Sequence, residues 1–256
     1  MSNRLQSSCV THLDLKKVTL IQQNGHPSIT QLDLRVNHFE RVAIIGSSGS
    51  GKTTLLSILG TALKPSSGEY LVNTKNPWSL SREKLRQLRT QIGFIYQAPP
   101  LPLKQRVITS VLAGKLGKWP IWKSMLSLLY PMDIAGPQNI LEKLKLSEAL
   151  FVRCDTLSGG ELQRVGIARV LYQDPELILA DEPISALDPV LSELIIEQIL
   201  HNQQKTIVVS LHDVEVALKW FPRIIGLKEG QLQFDLPAEE VTEEMLAALY
   251  SSATVA

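Results

Sequence analysis

The sequence predicts an α/β fold with an antiparallel β portion near its start and an all-helical insert near its middle. Three observations carry that reading. A glycine-rich loop, GSSGSGKTT at residues 46–54, lies between the apolar run Arg41-Val42-Ala43-Ile44-Ile45 and a stretch where Leu55, Leu56, Ile58, Leu59 and Leu63 recur at helical spacing. Two partly alternating segments precede it, HLDLKKVTLIQ at 12–22 and SITQLDLRV at 28–36, and the Gln-Asn-Gly-His-Pro turn between them favours an antiparallel pair. Past Gln97 the composition changes. Pro99, Pro100 and Pro102 remove backbone donors and restrict their neighbours, and helical patterns follow at 107–116, 120–129 and 138–150. The helical insert therefore covers roughly 99–157, between two parts of one α/β core at 1–98 and 158–256.

At 256 residues the chain suits one large domain or two coupled lobes and can bury a substantial core. A net charge of +1 argues against a dominant nucleic-acid-binding face. Cys9 and Cys154 stand far apart without metal-ligand spacing and read as reduced thiols of a cytosolic protein. Residues 1–17 contain no continuous apolar segment of the kind a secretory signal requires, and residues 1–10 are expected to be a loose start. No run approaches ~18 uninterrupted apolar residues; 121–135 is broken by Lys123, Pro131 and Asp133. The chain is not expected to span a membrane by itself.

The remaining elements follow in order. KPSSGE at 64–69 is a turn leading into the short strand Tyr70-Leu71-Val72, and 79–91 is a charged helix capped by Ser79 or Ser81. IGFIY at 92–96 is a buried strand with Gln97 at its end. LSGGELQ at 157–163 opens a helix in which Leu162, Val165, Ala168 and Leu171 share a face, ending near Asp174-Pro175. LILA at 177–180 is a strand closed by Asp181-Glu182-Pro183, 192–204 is a helix, and TIVVSL at 206–211 is a strand closed by His212. Strands at 224–227 and 231–234 flank a Lys-Glu-Gly turn as a hairpin. A helix over 240–250 ends the pattern, with Thr242 as its cap and Met245 and Leu249 facing inward.

The loop fits G-x-x-x-x-G-K-[ST], with Gly46, Gly51, Lys52 and Thr53 in the defining positions. A helix start offers unpaired N–H groups and the positive end of its dipole to an anion. Gly46, Ser47, Ser48, Gly49, Ser50 and Gly51 supply a backbone that curls so that its N–H groups point inward, continuing through Thr54. Lys52 adds an ammonium for β/γ-phosphate oxygens, and the Thr53 hydroxyl suits Mg²⁺. A serine/glycine turn that binds nothing would lack this strand and helix context. Adjacent carboxylates at a strand end, Asp181 and Glu182, are costly to bury without a cation. Mg²⁺ for Asp181, directly or through water, and an attacking water for Glu182 give each a partner. Ser158, Gly159 and Gly160 form a second anion site on the same helix-start principle. Gln97 is either a neutral turn residue or a Mg²⁺ ligand through its amide oxygen. His12, His26, His38 and His201 read as surface residues; His212, closing a β-branched strand, is a structural residue or part of the chemistry.

Assembled, these motifs resemble an ABC-transporter ATPase subunit over about residues 12–250. GSSGSGKTT, Tyr96-Gln97, LSGGE, LILADEP, Ser185-Ala186-Leu187-Asp188 and Leu211-His212 occur in the family's order. Val111-Leu112-Ala113-Gly114-Lys115-Leu116-Gly117, the segment with Trp119 and Trp122, and Ala217-Leu218-Lys219-Trp220 with 221–227 look like phosphonate or phosphite importer ATPases; the Leu249-Tyr250 ending bears on this weakly. The resemblance implies a P-loop NTPase (RecA-like) core and a head-to-tail homodimer closing over ATP and Mg²⁺. Thr53, Gln97 and Asp181 then serve the metal, Glu182 polarises water, and Lys52 and His212 contact phosphate. Ser158, Gly159 and Gly160 reach the partner's nucleotide, and Asp188 couples the two sites. It also implies integral membrane permease subunits docking at 98–106, an upstream solute-binding protein, no nucleic-acid partner, and a peripheral place on the cytoplasmic face of the inner membrane. An importer of another class, for an amino acid or metal, and a non-transport ABC ATPase are the rival readings. Two departures stand out. Ile21-Gln22-Gln23 lacks the aromatic that usually stacks on adenine, and Phe39-Glu40 stands where Gly-Glu is usual, read here as a changed turn.

Overall fold

The computed structural model describes residues 13–251; Cys9, His12 and the loose start expected for 1–10 lie outside the described residues. In chain order, β1 (Leu13–Ile21) and β2 (Pro27–Val36) lead to β3 (Arg41–Ile45), the glycine loop, α1 (Lys52–Leu59), β4 (Ser67–Val72), α2 (Arg82–Thr90) and β5 (Ile92–Ile95). The helical segment holds α3 (Val107–Leu112), α4 (Ile121–Leu129) and α5 (Ala135–Lys143). The core then resumes with α6 (Gly159–Gln173), β6 (Leu177–Asp181), α7 (Pro189–Leu200), β7 (Thr206–Ser210), α8 (Val214–Trp220), β8 (Arg223–Lys228), β9 (Gln231–Pro237) and α9 (Glu243–Tyr250).

Two sheets form among the described residues. β2-β1-β4 is antiparallel throughout, as the turn at 22–27 requires. The larger sheet runs β5-β6-β7-β3-β8-β9, parallel except for β9, which returns from β8 as the hairpin. β3, β6 and β7 are buried along their whole length or nearly so, because both faces are covered. Period-two alternation splits β3 between two cores. Val42 and Ile44 pack with α1 and the antiparallel sheet, while Ala43 and Ile45 pack with α3, α6 and α7.

Register turns this architecture into a site. Ile95 pairs with Ala180, Asp181 with Ser210, and Ser210 with Ile44. The C-terminal ends of β5, β6, β7 and β3 therefore stop at one level. Gln97, Glu182, His212 and the glycine loop all follow those ends, the crevice where open α/β sheets bind ligands.

Several element details differ from expectation, each for a local reason. Ser81, not Ser79, caps α2 by accepting from the Lys84 N–H, since Pro77–Ser79 form their own 3₁₀ turn. α5 starts at Ala135, with the Asp133 carboxylate accepting from Gly136 N–H, and stops at Lys143 as Lys145 turns left-handed at φ 54°. α7 begins at Pro189, where Asp188 caps Leu191 N–H and proline suits the first helical position. Leu63 lies beyond α1 and is exposed, and Met245 points outward while Leu249 is buried. α8 was not anticipated; its seven residues carry too short a repeat to register, though Asp213 caps it.

Candidate active site at the strand ends

The glycine loop is shaped by what surrounds it. A Cβ on Gly46 would stand 2.1 Å from the Leu227 carbonyl oxygen, and one on Gly51 (φ 103°) would stand 2.6 Å from the Ser28 carbonyl oxygen. Neither position tolerates a side chain. Lys52 opens α1 and is buried; its ammonium donates to the Gly46 carbonyl at 2.8 Å and the Ser47 carbonyl at 3.0 Å. Burial holds its pKa below the ordinary lysine value, against the opposing pull of Glu182 and Asp181. The loop is thus braced by its own lysine.

Beside it lies a polar cavity of about 330 Å³ lined by Ser48, Gly49, Ser50, Gly51, Lys52, Thr53, Thr54, Gln97, Glu182 and His212, with Gln22 and Ser28 at its edge. The structure so brings together residues that the sequence separates by more than a hundred positions. Glu182 is the hub. Its Oε1 meets His212 Nε2 at 2.7 Å, and its Oε2 accepts from Gln97 Nε2 at 2.9 Å. That leaves the Gln97 amide oxygen available to a cation. Asp181 lies behind the cavity, buried, with Oδ1 accepting from the Ser210 hydroxyl at 2.6 Å.

Two residues of this constellation escaped the sequence reading. Ser210 donates to Asp181 and accepts from the Glu182 N–H at 3.0 Å, so one hydroxyl orients both carboxylate-bearing residues. Its polarity straight after the apolar Ile207-Val208-Val209 is the available signal. Gln163, on α6, is buried and donates to the Glu182 carbonyl at 3.1 Å. Glu182 adopts φ 48°, the left-handed region that costs a non-glycine residue energy. The bonds at its N–H and carbonyl from Ser210, Gln163 and the Ser185 hydroxyl hold it there.

Ser158, Gly159, Gly160 and Asp188 do not line this cavity. Ser158 begins α6 in a reciprocal cap: its hydroxyl and N–H donate to Glu161 at 2.7 and 2.8 Å, while Glu161 N–H returns to the hydroxyl at 3.4 Å. Gly160 approaches the Ala186 carbonyl, leaving 3.1 Å for a Cβ. These groups form a separate face that a second molecule could use. The segment after Gln97 is tied to this face too, since Leu103 and Gln105 carbonyls accept from Asp155 and Cys154 N–H just before the Ser158 helix.

Among the described residues no cluster of three or more His, Cys, Asp and Glu could cage a metal. Mg²⁺ seldom needs one, because it keeps waters and takes phosphate oxygens alongside one or two protein ligands. The exposed Thr53 hydroxyl, the free Gln97 oxygen and Asp181 fit that pattern.

The family model described as "ABC transporter" matches residues 29–185. This chain belongs to the ABC transporter family. The P-loop NTPase core, ATP hydrolysis and ATP as the substrate follow from that membership. The chain is 51% identical over 255 residues to the phosphonates import ATP-binding protein PhnC 1 of Cupriavidus necator, covering 98% of this chain and 88% of the relative. It is 50% identical over 243 residues to the protein of the same name from Pseudomonas aeruginosa, covering 94% and 91%. Among solved structures it resembles the dimeric ATP-binding cassette MJ0796 bound to ADP and Pi, with a TM-score of 0.76 at 30% identity over 88% of this chain and 98% of that one. No described helix is long and apolar enough to cross a membrane.

Proposed function

We propose that this ABC ATPase powers uptake of a phosphonate, phosphite or related oxyanion. It does so as a head-to-tail homodimer on the cytoplasmic face of the inner membrane, beneath permease subunits fed by a solute-binding protein. About half-identity to phosphonate import subunits along nearly the whole chain supports the solute class. One observation carries the chemistry: Glu182 stands at the edge of the phosphate cavity with both carboxylate oxygens oriented by Gln97 and His212.

The residues divide the work. Loop N–H groups and Lys52 take the β/γ-phosphates, the ammonium exchanging its bonds to Gly46 and Ser47 for phosphate oxygens. Glu182 accepts the proton of the attacking water, and His212 keeps the carboxylate aimed at it. Mg²⁺, held by Thr53, Gln97 and Asp181, supplies charge neutralisation on the phosphates when bound. Ser158, Gly159 and Gly160 of a second copy complete the site, and Asp188, two residues past Gly160's neighbour Ala186, relays between copies. Residues 98–106 meet the permease, and their bonds to 154–155 pass its movement to Ser158.

The test is transport itself. Cells lacking this protein should lose uptake of radiolabelled methylphosphonate, and the wild-type gene should restore it while Glu182→Gln should not. Undiminished uptake in the deletion strain would refute the solute assignment and leave the ATPase assignment standing.

A further inference from the structure

α4 turns an apolar face outward. Among its described side chains, Lys123, Ser124 and Ser127 lie toward the protein, with the Ser124 hydroxyl donating to the Leu116 carbonyl at 3.1 Å and that of Ser127 to the Ser124 carbonyl. Lys123 lies over the Trp119 ring. Its outer face carries Ile121, Trp122, Met125 and Leu126, exposed by 73%, 66%, 66% and 42%, and Tyr130 follows at 74%. Single exposed apolar residues need no explanation, but a contiguous face of this kind marks something that covers it.

The surroundings say what. From Lys84 to Met132 every charged residue is Lys or Arg, although the whole chain is nearly neutral. Nearest to α4, Lys115, Lys118 and Lys123 stand within six residues of its first residue, Ile121, and Lys118 is exposed. The loop before α4 packs on the end of α2, where Thr90 sits 2.8 Å from a Cβ on Gly117. Basic groups therefore flank an apolar helix ringed by tryptophan and tyrosine. That combination fits an anionic bilayer surface, where apolar side chains enter the headgroup boundary and cations meet lipid phosphates. A second copy of the chain fits poorly, because two such basic stretches repel. α4 is also far from the ATP chemistry. Lys118 bonds the Gln173 and Asp174 carbonyls at the C-terminal end of α6, roughly 22 Å along the helix from Ser158.

We propose that the outer face of α4 seats this protein on membranes rich in anionic lipid, apart from any contact with permease. The surface is independent of the solute reading above. Purified full-length protein is sedimented with vesicles of phosphatidylcholine alone or mixed with phosphatidylglycerol, at low and high salt. The expected result is partitioning at least ~10-fold stronger onto the mixed vesicles, weakened by salt. Trp122→Glu with Met125→Glu should abolish most of it, and the gentler pair Trp122→Ser with Met125→Ser should lower it several-fold, with basal ATPase and thermal midpoint unchanged. Equal partitioning onto both vesicles, none onto either, or no loss in either double variant overturns the proposal. So does a variant that keeps vesicle binding while losing stimulation by co-purified permease, since the face would then dock protein.

Discussion

Glu182 combines a strained backbone with a crowded carboxylate, and each feature can be tested alone. Glu182→Gln keeps the hydrogen-bonding shape but removes the proposed base. It should lower turnover by at least ~100-fold in a coupled ATPase assay while nucleotide affinity by calorimetric titration stays near wild type. Gln163→Leu leaves the carboxylate intact and removes one bond from the Glu182 carbonyl. The loss of about 1 kcal/mol of positioning should lower kcat roughly fivefold with KM for ATP unchanged. A purely structural role would instead lower the thermal midpoint and spare kcat. Asp181, Glu182 and His212 were legible from the sequence because chemistry-bearing residues at strand ends stand out against apolar runs. Gln163 was not, because its role depends on how α6 packs beside β5 so that it reaches the chain after β6, which no local pattern encodes.

The turn before β3 shows what a substitution hides. Phe39 has φ 62°, a conformation that glycine adopts freely and phenylalanine does not. The turn is therefore one that glycine would make without strain, and here strain is its cost. Glu40 anchors it by accepting from Asn37 and by pairing with Arg223 at 2.6 Å; Arg223, whose pKa is raised chiefly by its hydrogen bond to Asp235, ties β8 and β9 to the same corner. Phe39→Gly should raise stability by about 0.5–1 kcal/mol, seen as a higher midpoint in thermal unfolding. At the start of α6, hydrogen bonds from the Ser158 hydroxyl and backbone hold the Glu161 carboxyl below the ordinary glutamate range. A depressed carboxyl stabilises the fold above its unfolded pKa, about 4.3, and that contribution disappears as pH falls through the lower folded value. Acid unfolding of Glu161→Gln should accordingly begin with a shallower slope below about pH 4.5 than the wild type shows. Helices with strong caps and long repeats, α2, α6 and α9, were legible to within a few residues. α8 was not, since seven residues span barely two turns.

At the scale of the whole molecule, the sheet order explains why residues so far apart in sequence were readable as one site. The glycine loop, Gln97, Asp181-Glu182 and His212 each close a strand, those strands are parallel, and register alone brings their ends level. Ser158, Gly159 and Gly160 are the exception: the sequence offers them as an anion site, yet they do not line the cavity at those ends, because the helix they open follows a 3₁₀ turn and not a strand end. The edge of that cavity holds Gln22 and Ser28, and among the described residues no Phe, Tyr or Trp lines it. Without a stacking ring, ATP and GTP should bind within about tenfold of each other, a gap of 1.4 kcal/mol; competition between the two in a calorimetric titration checks this.

The pairing of Glu182 with both Gln97 and His212 has a mechanical consequence. Each carboxylate oxygen keeps a lone pair to spare, so the two tethers fix the group's heading without using up its capacity for a proton. Because Gln97, Glu182 and His212 follow three different strands, slippage of any one strand against the others would be felt at this single carboxylate, and the sheet keeps its aim.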